Sequence, residues 1–211
     1  MYWQVLGKKQ INLLKKLKFL KNYGFYLAGG TALALQIGHR TSVDFDFYTQ
    51  RKFDSRKLRE EFDERFKNVQ EIYIAKDTLE LSVNGVEVSF FRYPYPFIKS
   101  PQEIEGILLA SIEDISAMKI LAISQRGKKR DFIDIYFLIK KFGLKRIFEF
   151  VKKKYPKFNI YVGLQGLVYF KDADEDPEKE RYKLLKKISW SKIKKFITEE
   201  VKKFKSSYLK E

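Results

Sequence analysis

The chain has 211 residues, 45% hydrophobic and 16% aromatic, and its 43 Lys and Arg against 27 Asp and Glu leave a net charge of +16. This composition suits a folded protein with a substantial core and excludes a disordered one. Zero cysteines exclude disulfides and thiolate metal sites. No apolar run approaches the ~20 residues that span a bilayer, and MYWQVLGKKQ lacks the continuous apolar core of a secretory signal. A soluble, cytoplasmic protein with no membrane partner is therefore expected.

From about Gln4 to Lys21, Ile11, Leu13, Leu14, Leu17 and Leu20 recur between lysines, which predicts an amphipathic helix ended by Asn22-Tyr23-Gly24. Phe25-Tyr26-Leu27-Ala28 is short and apolar, the pattern of a buried strand. Gly29-Gly30 permits a tight turn and a close approach of backbone to ligand. Thr31 is a good N-cap for a helix over Ala32 to Ile37, and free N–H groups at such a start suit phosphate, so Gly29, Gly30 and Thr31 are expected to contact phosphates through backbone N–H groups and the Thr31 hydroxyl. The run Val43-Asp44-Phe45-Asp46-Phe47 alternates apolar and acidic, a strand with one greasy and one carboxylate face. Residues two apart on a strand lie roughly 7 Å from each other. Asp44 and Asp46 repel unless a cation compensates them, and Mg²⁺ meets that need while bringing substrate phosphates with it. A phosphate cradle beside a metal-binding carboxylate pair equips a protein for phosphoryl or nucleotidyl transfer.

Beyond Tyr48, Asp54 or Ser55 caps a charged helix through about Phe66. Strands are expected over Val69 to Ile74, Thr78 to Val83 and Val86 to Phe91, with Asn84-Gly85 as a hairpin turn between the last two. Tyr93-Pro94-Tyr95-Pro96 stops the sheet. From Ser111 the pattern turns helical: Ser111 to about Gln125, a break at Gly127, then Phe132 to Lys141 closed by Gly143. Leu144 to Lys154 and Ser191 to Phe204 follow, with an acidic turn over Asp172 to Asp176. The expected organisation is a mixed-sheet α/β core over residues 1–100 and a mainly helical region over residues 101–211, divided near Ser100-Pro101.

Gly29-Gly30-Thr31 followed by His39-Arg40-Thr41-Ser42-Val43-Asp44-Phe45-Asp46 resembles the nucleotidyltransferase toxins of the AbiEii/AbiGii type, from abortive-infection and toxin–antitoxin systems. Lys119 to Leu138, and Leu167 to Phe170 through Ile188 to Trp190, are similar to this family as well, so the resemblance covers nearly the whole chain. It implies the nucleotidyltransferase fold shared with DNA polymerase beta, and Asp44 and Asp46 as Mg²⁺ ligands that orient a nucleoside triphosphate. It also associates a Lys and an Asp, at Lys119 and at Asp131 or Asp134, with activity. Lys119 either neutralises triphosphate charge or joins the two halves through an inter-helix salt bridge. Arg40, with Ser42, stands just before the acids and either contacts triphosphate oxygens or pairs with a carboxylate. Where the fold often carries a third acid, this chain has Ser89, with Glu87 two residues earlier as the substitute candidate. His39, the single histidine, is read as a turn residue, and Phe90 to Tyr95 as packing.

From Lys140 onward 21 Lys and Arg stand against 10 Asp and Glu, so +11 of the +16 lies in the last third. Such an excess favours a polyanionic partner through counterion release. The expected activity is transfer of a nucleoside monophosphate from a triphosphate to a hydroxyl, with RNA, in particular a tRNA 3′ end, as acceptor, in a toxin with a cognate antitoxin. The competing expectation is a non-catalytic nucleotide- or RNA-binding module that keeps the fold.

Overall fold

A computed structural model describes residues 1–177 and 181–208, and the chain divides into two compact units, Met1–Ser111 and Ile112–Glu211. In the first unit, Asn84 and Gly85 adopt φ of 53° and 77°, the left-handed pair that a type I′ hairpin turn requires. The turn joins β4 (Thr78–Val83) to β5 (Val86–Arg92), with Val83 opposite Val86. β3 (Val69–Ala75) pairs antiparallel to β4, and β2 (Phe45–Thr49) runs parallel to β5. β1 (Tyr26–Ala28) pairs antiparallel to β2 and parallel to β7 (Ile107–Leu109), which closes a hairpin with β6 (Gln102–Ile104). The result is a mixed seven-stranded sheet in the order β3-β4-β5-β2-β1-β7-β6. The unit ends at Ser111 because the hairpin after Ser100-Pro101 rejoins the sheet through Leu27 and Leu109.

The α1 region departs from a continuous helix. A short 3₁₀ turn (Trp3–Val5) precedes α1 (Lys8–Lys16), and a second 3₁₀ segment covers Leu17–Tyr23. The tighter winding stacks residues three apart, so Leu17 and Leu20 turn inward together with Leu14. Helix α3 (Ser55–Arg65) begins as expected, with the Asp54 carboxylate accepting from the N–H of Arg56 and Lys57. It packs on β3 and β4. Phe90 sits at the centre of this face, 5.3 Å from the rings of Phe25 and Phe62 and stacked at 5.8 Å on Phe47. The alternation of β2 and β5 thereby commits Phe45, Phe47, Val88 and Phe90 to the core and turns Asp46 and Ser89 to the other side of the sheet.

The second unit is helical. α4 (Ile112–Gln125) packs against α5 (Lys129–Phe142), α6 (Leu144–Lys154) and α7 (Ile160–Gly166). Helix α7 is absent from the expected elements because two glycines weaken its pattern. Packing accounts for both: a Cβ at Gly163 would meet Ile120 Cγ2 at 3.1 Å, and one at Gly166 the Ile123 carbonyl at 3.1 Å. Asn159 caps it, accepting from the Tyr161 N–H at 2.9 Å. The acidic stretch contains α8 (Lys171–Asp174), and the basic α9 (Trp190–Tyr208) buries Ile193, Ile197, Val201 and Phe204.

Lys154, in the last turn of α6, reaches Asp114 in the first turn of α4 at 2.7 Å, with both side chains 1% exposed. Burial pushes the Lys154 ammonium below its ordinary pKa, and the Asp114 carboxylate opposes that shift. Removing one partner strands a charge in the core, whereas replacing both with apolar groups does not. Lys154→Met is expected to cost about 3–5 kcal/mol and Lys154→Met/Asp114→Leu far less, as read by chemical denaturation.

Candidate active site

Gly29 ends β1 and begins α2 (Gly29–Ile37) with φ +65°, a conformation that costs an L-residue steric strain. The backbone here passes directly over the acidic strand. A Cβ at position 29 would stand 2.6 Å from Asp46 Oδ2. Only glycine lets the helix start and the carboxylate share this space. The helix therefore starts three residues earlier than expected, with Ala28 at its N-cap, and Thr31 is not the cap.

The Thr31 hydroxyl is used instead to tether the loop between α2 and β2. Thr31 is 2% exposed, and its Oγ1 donates to the Asp44 carbonyl. With its proton committed there, it accepts the Ser42 hydroxyl at 2.6 Å. Arg40, also 2% exposed, donates from Nη1 to the Thr41 carbonyl at 3.0 Å. His39 is fully buried in the same turn. The strand begins at Phe45, two residues after Val43, because side-chain and loop bonds rather than ladder bonds hold the residues before it. Asp44 is the last residue of that lead-in, and both it and Asp46 are half-buried.

In register, Asp46 lies between Ala28 of β1 and Ser89 of β5. Ser89 is the direct neighbour of the carboxylate, at the place where a third acid would complete the set. Glu87 points to the same side two residues earlier and is exposed. A cation site here would draw on the carboxylates of Asp44 and Asp46. These are hard oxygen donors of the kind Mg²⁺ takes alongside substrate phosphates. The absent Cβ of Gly29 lets Asp46 Oδ2 lie against the start of α2. Among the described residues no set of three carboxylate, histidine or cysteine side chains forms a closed metal cage.

The helical unit carries a second cluster. Lys119 on α4 contacts Asp131 Oδ1 and Asp134 Oδ2, each at 2.6 Å. The two acids are three apart on α5, hence on one face. All three are nearly excluded from solvent, so one ammonium serves two buried carboxylates. Arg126 Nε stands 3.6 Å from Asp131 Oδ2, an oxygen without a hydrogen-bond donor among the described residues. The bridge expected to join the halves of the chain thus joins two helices of a single unit. One contributor escaped the sequence reading. Gln10, on α1, donates from its side-chain amide to the Ser42 carbonyl at 3.1 Å and the Val43 carbonyl at 2.9 Å. Its cue, a Gln at the third position of a helix, was weak because the N-cap is Gly7 rather than Ser or Thr.

The sheet and the helical unit are shared with solved structures. JHP933 from Helicobacter pylori is similar with a TM-score of 0.55 at 20% identity, over 98% of this chain and 100% of that one. MenT4, a nucleotidyltransferase toxin from Mycobacterium tuberculosis H37Rv, gives a TM-score of 0.55 at 12% identity, over 90% and 80%. An uncharacterised protein of Aquifex aeolicus (strain VF5) is 40% identical over 206 residues, 94% of this chain and 97% of that protein. The fold is that of the nucleotidyltransferases. The chain belongs to the AbiEii family, the nucleotidyl transferase toxins of type IV toxin–antitoxin systems, whose model matches residues 13–207.

Gly29→Ala is expected to lower stability by about 1–3 kcal/mol through backbone strain, measured by urea denaturation. The steric conflict with Asp46 predicts a second effect, weaker divalent-cation binding by the folded variant. Full stability and unchanged binding would contradict the close approach.

Proposed function

We propose that the protein transfers a nucleoside monophosphate from a nucleoside triphosphate to a hydroxyl of RNA, a tRNA 3′ end above all, and that a cognate antitoxin restrains it. The observation that carries this reading is the open backbone at Gly29 against the Asp46 carboxylate, with Asp44 held beside it. Gly29, Gly30 and the N–H groups at the start of α2 cradle the phosphates. Arg40 and Ser42 line the loop that leads to the acids. Asp44 and Asp46 hold Mg²⁺, which when bound offsets charge on the attacking and leaving oxygens. The acceptor oxygen attacks the α-phosphorus, the bond to pyrophosphate breaks, and pyrophosphate leaves with its electron pair. Glu87 is the candidate to receive the hydroxyl proton. Lys119, Asp131 and Asp134, which the family resemblance associates with activity, form a charged cluster of their own within the helical unit.

The acceptor assignment is supported by charge. α9 buries an apolar stripe and leaves Lys195 and Lys203 with side chains 79% and 72% exposed. α6, packed against it, adds Arg146 at 61%. Ser89 beside Asp46 favours a second reading, a nucleotide- or RNA-binding module without turnover. Among the described residues no helix is long and apolar enough to cross a membrane.

Incubation with each labelled triphosphate, Mg²⁺ and total RNA distinguishes the two. Transfer of label to RNA, falling at least about a hundredfold in Asp46→Asn at an unchanged melting temperature, is the expected result. Binding without transfer in the parent protein supports the non-catalytic module. For the acceptor, tRNA affinity is expected to fall with salt by nearly one log unit per phosphate contact. Changing Lys192, Lys194 and Lys195 to Gln should flatten that slope by up to two contacts rather than three. Lys194 is already tied to Asp174 at 3.0 Å. No binding at low salt would point to a protein acceptor.

A further inference from the structure

We infer that the first ten residues form a clasp that holds the lead-in to Asp44 in its binding geometry, with Gln10 as the positioning residue. The functional consequence rests on the nucleotidyl-transfer reading above; the clasp itself rests on geometry. Gln10 Oε1 accepts from the Gly7 N–H at 2.6 Å, half of a capping box. This leaves both protons of the amide nitrogen free of α1, and each goes to one carbonyl of the lead-in, those of Ser42 and Val43. The Val5 carbonyl accepts from the Ser42 N–H at 3.0 Å. The N-terminal segment thus holds three backbone groups of two adjacent residues. Asp44 comes next, tethered by Thr31 through its own carbonyl.

These bonds stand in for a strand partner. Ser42, Val43 and Asp44 precede β2, whose ladder with β1 and β5 spans Phe45 to Thr49. A loop of this kind keeps one conformation only when its polar groups are held. A displacement of about 1 Å in a group that orients substrate can cost a hundredfold in rate. Asp44 is one residue from the atoms that Gln10 holds. Val5, Gly7 and Gln10 all lie before residue 13, where the family match begins, so the clasp lies outside that matched stretch.

The test uses the full chain with two substitutions. Gln10→Met preserves the length of the side chain and removes every hydrogen bond. Gln10→Glu keeps the acceptor for Gly7 and loses both donors. Hydrogen exchange is followed across residues 41–45 and, as a reference, across the hairpin of residues 78–92. Calorimetry with Mg²⁺ and each of the four common nucleoside triphosphates is run in parallel. In both variants exchange over 41–45 should rise roughly tenfold or more, the loss of about one net hydrogen bond, while the reference hairpin is unchanged. Triphosphate affinity should fall by a similar factor. Parent-like protection in Gln10→Glu would overturn the clasp, because capping alone would then explain Gln10. Exchange rising equally in the reference hairpin would make Gln10 a general stability residue and overturn it too. If the parent protein binds no triphosphate, the nucleotidyl-transfer reading fails, and exchange by itself decides the clasp.

Discussion

The candidate site depends on one steric fact: the Asp46 carboxylate occupies the space that a side chain at position 29 would need. A β-strand, a helix start and a carboxylate meet there. The sheet brings Ala28 and Asp46 into register as direct partners, and α2 must leave β1 within a single residue of that contact. Positive φ at residue 29 permits the exit, and the missing Cβ makes room for the carboxylate. The motif's first glycine is therefore a requirement of the acid opposite it as much as of any phosphate above it.

Around that contact, loose backbone is held by side chains. Past a single β-bridge at Arg40, the loop from α2 to β2 has no ladder until Phe45. Thr31 binds it from the helix side, through Ser42 and the Asp44 carbonyl. Gln10 and the Val5 carbonyl bind it from the N-terminal side. Each bond is worth about 1 kcal/mol net, yet together they convert a connecting loop into a fixed approach to the acids. The hydroxyls of Thr31 and Ser42, which suggested phosphate contacts, satisfy each other and this carbonyl.

The helical unit solves a different problem. Asp114, Lys119, Asp131, Asp134 and Lys154 are all buried, and buried charge is tolerated only when paired. Lys154 and Asp114 pair and join the end of α6 to the start of α4. At Lys119 two acids share one cation, with Arg126 at the margin. One oxygen of Asp131 is left without a hydrogen-bond donor among the described residues.

Much of this was legible in the residues alone. Asn84-Gly85 determined the hairpin, Asp54 the start of α3, and the alternation about Phe45 and Phe47 the face on which Asp46 lies, because each is a local rule of backbone and period. The ordered set from Gly29 to Asp46, with Lys119 to Leu138, determined the family. Three things were decided only by the tertiary structure. Gly29 rather than Thr31 opens the helix because of what the neighbouring strand places against it. The hairpin of Gln102–Leu109 rejoins the sheet because β1 offers it a free edge, which no pattern within those eight residues encodes. Gln10 bonds to a loop 32 residues away, since a side-chain amide has no periodicity and its partner is chosen by proximity in space.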